Sequence, residues 1–153
     1  MKPILIAGLL TITTLVCIVF VGFTVSSAST SPRKLMETRS YEHGWEADMG
    51  ALDLLSKALQ DEPNSIGYIF IYGARRGRRN DVERRMACMK GYLLQRRGIS
   101  ADSLRVVNGG YRAHVMVELW IAPSGSSAPL PRPTVRPRNV RSQRGGTRYT
   151  CNV

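Results

Sequence analysis

A single stretch, residues 67–98, constrains the fold most, because its apolar spacing changes from that of a strand to that of a helix. Residues 67–72 read Gly-Tyr-Ile-Phe-Ile-Tyr, a short apolar run that is typical of a strand buried on both faces. Apolar residues then recur at helical spacing at Val82, Met86, Met89 and Leu93. The pattern predicts a strand, a short loop and an amphipathic helix.

The two ends of this helix carry signals of their own. Asn80 is expected to cap the first turn with Glu83 as its capping-box partner, and Gly98 is placed to end the helix. The loop before the helix, residues 74–79, reads Ala-Arg-Arg-Gly-Arg-Arg and holds no nucleotide-binding pattern. Backbone N–H groups of a helix N-terminus beside these arginines predict a surface that attracts anions.

Periodic patterns also lie on either side of this stretch. A helix that stops at Pro63-Asn64 is predicted by one face made of Asp48, Ala51, Leu52, Leu55, Ala58 and Leu59. Residues 104–107 and 114–121 are predicted strands, and the second places Val115, Val117, Leu119 and Ile121 on one face. The Asn-Gly-Gly sequence at 108–110 predicts a hairpin turn between these two strands.

The order of these elements predicts the fold class. A strand, a helix and a second strand imply a parallel pair with a right-handed crossover, and the last strand is expected to be its antiparallel neighbour. We therefore expect one small α+β domain over residues 45–123. It is a two-layer sandwich, with both helices on one face of a small mixed sheet. Tyr68, Tyr72 and Trp120 are expected in the core or on a sheet face, and an edge strand is expected near Tyr41.

The two ends of the chain differ in composition from this domain. Residues 4–23 are uncharged and mostly apolar, and small residues follow at 26–28, so residues 1–28 are expected to be a signal peptide or, if retained, a membrane anchor. Residues 29–44 are a polar lead-in. Residues 124–153, called here the C-terminal tail, are rich in proline and arginine and are expected to be disordered or to follow the domain surface.

Positive charge is concentrated in two places along the chain. The net charge is +11, and the C-terminal tail contains six arginines and no acidic residue. Residues 75–85 contain six arginines against Asp81 and Glu83. Both segments are expected to be attracted to surfaces that carry phosphate or carboxylate groups.

Several short segments, in this order, resemble the OmpA C-terminal-like domain of bacterial envelope proteins. They lie at residues 51–55, 69–73, 83–87, 92–94, 97–104, 109–111 and 117–119, and the region over which they are spread is roughly half of the chain. The resemblance implies an α+β domain that binds peptidoglycan noncovalently. In that family a carboxylate after the central strand and an arginine on the next helix hold the diaminopimelate of the stem peptide.

The resemblance carries over to this chain only in part. Arg85 falls on the helix arginine of the family pattern. Where the family has Gly-x-Thr-Asp, this chain reads Gly73-Ala74-Arg75-Arg76, so an arginine replaces the carboxylate and would repel the ammonium group of the ligand. Asp81 is the candidate substitute, because it lies four residues before Arg85 on the same helix face.

The candidate ligand-binding residues are Arg75, Arg76, Arg78, Arg79, Asp81 and Arg85. Each feature also has a simpler interpretation. An aspartate and an arginine at this helical spacing usually form an exposed ion pair worth a few tenths of a kcal/mol, about 0.3–0.5. The arginine loop is otherwise a solvated surface, although mutual repulsion among its charges favours a bound anion.

The remaining residues that carry chemistry are few. Cys88 and Cys151 are expected either to form a disulfide that holds the C-terminal tail to the helix, or to leave Cys88 as a buried free thiol, which we favour. His43 and His114 lack companions at metal-ligand spacing, so zinc is not expected. No nucleophile and base pair stands out, so we expect neither a cofactor nor enzymatic activity.

These expectations define two functional hypotheses. The leading one is an exported, noncatalytic binding module of the periplasm or outer cell envelope, with peptidoglycan as its partner. The alternative is a structural or interaction protein that has lost peptidoglycan binding and uses its arginines on acidic envelope polymers. Nucleic acid fits the charge but not the export signal. Membrane contact is expected only through residues 4–23.

Overall fold

The computed structural model describes residues 31–39, 44–143 and 149–151, so the expected signal segment and Tyr41 lie outside the described residues. The elements in chain order are β1 (Arg33–Arg39), α1 (Gly44–Asp61), β2 (Ser65–Ala74), β3 (Arg76–Gly77), α2 (Asp81–Gly91), β4 (Leu104–Arg112), β5 (Met116–Pro123) and β6 (Arg141–Ser142). A π-helical turn, Tyr92–Arg96, directly continues α2, and 3-10 turns lie at Ala101–Ser103 and Pro137–Asn139.

The main sheet has four strands in the order β1-β5-β2-β4, and β3 and β6 form a separate two-stranded ladder. β2 and β4 are parallel, as the strand, helix, strand order predicts, whereas β5 is antiparallel to both β1 and β2. The sheet is therefore mixed, and α1 and α2 pack against it. The predicted two-layer α+β architecture is confirmed.

The predicted hairpin at residues 108–110 is wrong. β4 runs through this sequence, and β5 lies on the far side of β2 instead of beside β4. Ile71 pairs with Asn108 and Tyr72 pairs with Gly110, so Gly109 is the extra residue of a bulge. A Cβ at Gly109 would lie only 2.6 Å from the Tyr72 ring. The glycine therefore permits close packing against an aromatic side chain.

The hydrophobic core lies between the helices and the sheet. The largest fully buried side chains on the helices are Leu52, Leu55, Met89 and Leu93, and those on the strands include Ile69, Ile71, Val117, Leu119 and Ile121. These residues follow the predicted apolar faces, because helical spacing on α1 and α2 meets alternating residues on β5. The opposite face of β2 carries Tyr72 and Phe70, which are also buried, so β2 is covered on both sides as predicted.

The start of α2 differs from the prediction, whereas its end agrees. Asn80 has a left-handed backbone, φ 58°, and its side chain makes no capping hydrogen bond, so the predicted capping box is absent. Its backbone carbonyl accepts from the N–H of Arg84 at 3.2 Å. At the other end Gly98 has φ +66°, and the N–H of Ile99 donates to the carbonyl of Leu93 at 3.0 Å. Gly98 thus ends the helical segment as expected.

The described part of the C-terminal tail follows the domain surface, one of its two expected behaviours. The N–H of Ser124 donates to the carbonyl of Asn64, and Val135 forms an isolated antiparallel bridge with Tyr111 at the edge of β4. The N–H of Arg132 donates to the hydroxyl of Tyr72 at 3.0 Å. The tail then reaches β6. Neither α1 nor α2 combines the length and apolar character that a membrane-spanning helix requires.

Candidate functional site

The arginine loop pairs with the C-terminal tail. β3 and β6 are parallel, and Arg76 is the Cα partner of Arg141. The N–H of Arg141 donates to the carbonyl of Arg75 at 2.9 Å, and the N–H of Gln143 donates to that of Gly77 at 3.0 Å. The two basic segments of the sequence therefore meet in one place. We call the side chains of Arg75, Arg76, Arg78, Arg79 and Arg141 the arginine ladder.

The arginine ladder concentrates positive charge. Arg75, Arg76, Arg79 and Arg141 are exposed, and their side chains make no ion pair within the described ranges. Arg78 is half-buried. Neighbouring strands lie about 4.8 Å apart, and like charges opposite one another in a ladder are destabilising. An anion bound between the guanidinium groups would remove this repulsion.

Arg85 lies in a different environment from the arginine ladder. Its Nε donates to Oδ2 of Asp81 at 3.0 Å, so the predicted pair forms, and its Nη1 donates to Oδ2 of Asp48 at 3.3 Å. The side chain of Arg85 is only 8% exposed and that of Asp48 only 1%. The interpretation of an exposed ion pair is therefore wrong. Asp48, Asp81 and Arg85 together are called the Arg85 cluster.

The end of the described chain covers the Arg85 cluster. The Tyr149 ring lies 3.9 Å below the guanidinium of Arg85, and its hydroxyl donates to Oδ2 of Asp48 at 2.8 Å. Trp45 meets the same ring edge-on, at 6.2 Å between centroids. Burial raises the pKa of Tyr149 well above its ordinary value, and the charge of Asp48 raises it further. The phenol therefore stays protonated and remains a hydrogen-bond donor.

A disulfide fixes this cover in place. Cys88 of α2 is bonded to Cys151, with the two Cα atoms 5.9 Å apart, so the preference for a free thiol is wrong. Sequence reasoning missed Tyr149 and Trp45, and it assigned Asp48 only to the buried face of α1. An aspartate on an otherwise apolar helical face was the available signal, because a buried carboxylate needs a cation or donors beside it.

A second buried carboxylate, Glu118, lies on the sheet face opposite the helices. Its Oε2 accepts from the hydroxyl of Tyr72 at 2.8 Å, and its Oε1 accepts from Arg112 at 2.8 Å and from Lys34 at 3.1 Å. Burial alone would raise the pKa of Glu118, but these hydrogen bonds together hold it below the ordinary value. Glu118 thus links β1, β2, β4 and β5, and its role is structural.

No group of three or more histidine, cysteine, aspartate or glutamate side chains that could hold a metal occurs in the part of the chain that the structure describes. A surface groove of about 440 Å³ between α2 and β4 is lined in part by Met86, Lys90, Leu104 and Val106, and it contains none of the predicted site residues. The structure therefore places the predicted site residues in two environments, an exposed arginine ladder and a covered Arg85 cluster. Comparison with protein-family models, curated proteins and solved structures gives no significant match.

Proposed function

We propose that this protein is an exported, noncatalytic binding module of the cell envelope, and that it holds acidic polymers through the arginine ladder. The observation that carries the proposal is the pairing of Arg76 with Arg141, which brings the two basic segments of the chain together at a point where, among the described residues, neither of these two side chains has a carboxylate partner. The export signal expected at residues 1–28 supports the location.

The chemistry of guanidinium groups favours phosphate and carboxylate ligands. Each guanidinium presents donors in a planar fork that matches two oxygens of one anion. The backbone of the ladder is already paired, so binding an anion requires little ordering of the chain. Several adjacent cations also favour a polymer over a single small anion, because each repeat of the polymer adds a contact.

Peptidoglycan binding through Arg85 is the second candidate, and one observation supports it: Asp48 and Asp81 both lie within hydrogen-bond distance of Arg85. The same carboxylates, however, already accept hydrogen bonds from the guanidinium, and Tyr149 covers its face. A stem peptide would have to displace Tyr149. The exposed arginine ladder needs no such rearrangement and is therefore the better candidate.

Affinity for lipopolysaccharide tests the proposal. The double variant Arg76→Gln/Arg141→Gln removes two charges from the ladder, and Lys90→Gln/Arg96→Gln removes two exposed charges elsewhere. At physiological salt, about 0.15 M, the ladder variant is expected to bind roughly tenfold more weakly and with a shallower salt dependence, while the control stays near wild type. Equal weakening by both variants, or no binding by the wild-type protein, would overturn the proposal.

Two further measurements separate the alternatives. Duplex DNA retained as tightly as lipopolysaccharide at the same salt would favour nucleic-acid binding. Pulldown on purified peptidoglycan with wild-type protein and Arg85→Ala tests the second candidate, with folding of the variant checked by circular dichroism. Wild-type binding that is lost in Arg85→Ala but kept in the ladder variant would replace the proposal with family-type peptidoglycan binding.

A further inference from the structure

We propose that residues 149–151 form a redox-released strap over the Arg85 cluster, and that a dithiol reductant opens the strap without unfolding the domain. This inference goes beyond the proposed function and does not rest on it, because it concerns the covered Arg85 cluster and not the exposed arginine ladder. Its basis is the combination of one covalent bond with a cover that otherwise contacts the described domain through one tyrosine side chain.

The strap fits closely over the Arg85 cluster. Tyr149 is only 6% exposed, although it lies in a segment without helix or strand structure. It contacts three different side chains, with its ring on Arg85 and Trp45 and its hydroxyl on Asp48. A buried tyrosine whose hydroxyl is hydrogen-bonded and whose ring lies on a guanidinium makes a specific contact.

Charged side chains lie beneath the strap. The Arg85 cluster consists of charged groups, which water solvates well once the cover leaves. Leu52, Leu55, Met89 and Leu93 belong to one apolar cluster with the sheet, and neither Tyr149 nor Cys151 is part of it. Trp45 is the link between the two, because it packs against that cluster and against the Tyr149 ring. Lifting the strap therefore exposes mainly the charged cluster and the edge of Trp45, and it leaves the side chains of the main apolar cluster packed against the sheet.

The disulfide that holds the strap is accessible to a reductant from the Cys151 side. Cys88 is only 7% exposed, whereas Cys151 is partly exposed. A thiolate of a dithiol reductant attacks Sγ of Cys151, and Cys88 leaves as a thiolate. The second thiol of the reductant then resolves the mixed disulfide. The products are two protein thiols and the oxidised, disulfide form of the reductant, with two electrons and two protons gained by the protein.

The result is a guanidinium whose exposure depends on the redox poise of its compartment. With the disulfide formed, Arg85 is held under Tyr149. After reduction, the contacts that remain between the strap and the rest of the described chain are the hydrogen bond to Asp48 and the ring contacts of Tyr149, so the open form becomes populated. Tyr149 and the disulfide thus both hold the strap over Arg85, and removal of either weakens the cover.

Chemical labelling of Arg85 tests this proposal in the full-length protein. Phenylglyoxal modifies accessible guanidinium groups, and peptide mass spectrometry reports each arginine separately. Reduction with dithiothreitol is expected to raise the labelling rate of Arg85 at least tenfold, while the exposed Arg76 changes little. In Cys151→Ser, Arg85 is expected to be labelled fast without reductant, and addition of reductant should not change the rate. In oxidised Tyr149→Ala, Arg85 is expected to be labelled at an intermediate rate.

Two results would overturn the proposal. One is an unchanged labelling rate of Arg85 after mass spectrometry has shown that Cys88 and Cys151 are fully reduced. The other is a parallel loss of hydrogen-exchange protection in β2 and β5, since that would show that the disulfide holds the whole fold together. Retained protection in these strands together with fast Arg85 labelling establishes a local opening.

Discussion

The hydroxyl of Tyr149 and the guanidinium of Arg85 donate to the same oxygen, Oδ2 of Asp48, at 2.8 and 3.3 Å. One carboxylate oxygen therefore ties the described end of the chain to both helices. Because Asp48 is almost fully buried, its charge depends on these donors for solvation.

Tyr149→Phe removes the donor to Asp48 and keeps the ring. We expect the free energy of unfolding to fall by about 2 kcal/mol, the cost of losing a buried hydrogen bond to a charged acceptor. Urea denaturation of the oxidised protein measures the change. Tyr111→Phe is the matched control, because the hydroxyl of Tyr111 forms no hydrogen bond in the described parts of the chain. A loss as large in the control would contradict the interpretation.

Removal of the disulfide is expected to destabilise the protein without changing its fold. Cys88 and Cys151 are separated by 63 positions, and closure of such a loop corresponds to at most about 4 kcal/mol in the chain-entropy description. Cys88→Ser/Cys151→Ser in guanidinium chloride, compared with the oxidised wild-type protein, measures this difference. Addition of a reductant should destabilise the wild-type protein and leave the double variant unchanged. A reductant effect on both proteins would point to another cause.

Glu118 predicts a dependence of stability on pH. Its folded pKa is depressed, so its ionised form stabilises the fold above the ordinary value of about 4.5, and this contribution is lost as the pH falls through the folded pKa. Glu118→Gln is expected to cost about 2 kcal/mol at neutral pH, because Arg112 and Lys34 lose their charged partner. Unfolding measured from neutral pH down to about pH 3 should show the gap to wild type narrowing below pH 4.5. A constant gap would mean that packing, and not charge, is responsible.

Gly109→Ala tests the close contact between β4 and β2. The new Cβ would lie 2.6 Å from the Tyr72 ring, so the ring or the strand must move, and we expect a loss of about 1–3 kcal/mol. Gly50→Ala is the control, since its Cβ would meet nothing within 4 Å and it lies in α1. That change is expected to stabilise the protein by about 0.5–1 kcal/mol. Thermal denaturation of both variants measures these changes, and an unchanged stability of Gly109→Ala would contradict the prediction.

The apolar periodicity was sufficient to predict the helices and the central strands. Spacing fixes which residues face a core, and the buried residues Leu55, Met89 and Leu119 all lie on their predicted faces. Strand order could not be read in the same way, because it depends on contacts between distant segments. The sequence Gly109-Gly110 is compatible with a hairpin turn and with a bulge. The structure has the bulge, in which the Tyr72 ring packs against Gly109, and this contact cannot be read from the sequence.

The candidate site was predictable as a set of residue types but not as an arrangement. The charge count identified both basic segments, yet β3 and β6 are two residues long, too short for a pattern to predict their pairing. The disulfide between Cys88 and Cys151 was one of two expectations, but the sequence did not predict that Tyr149 covers Arg85, since this tyrosine lies within a basic, proline-rich tail. A disulfide needs two Cα atoms brought close together, and sequence spacing does not report that distance.

Arg112 connects the first strand, the main sheet and the C-terminal tail through one side chain. Its guanidinium lies 3.7 Å from the Tyr72 ring and donates to Glu37 on β1, to Glu118 on β5 and to the backbone carbonyl of Arg132 in the C-terminal tail. The first strand and the tail therefore share one partner on β4. Removal of β1 or of the C-terminal tail would take one partner away from Arg112 and so weaken the contact of Arg112 with the remaining segment. The two segments therefore cannot be treated as independent additions to residues 45–123.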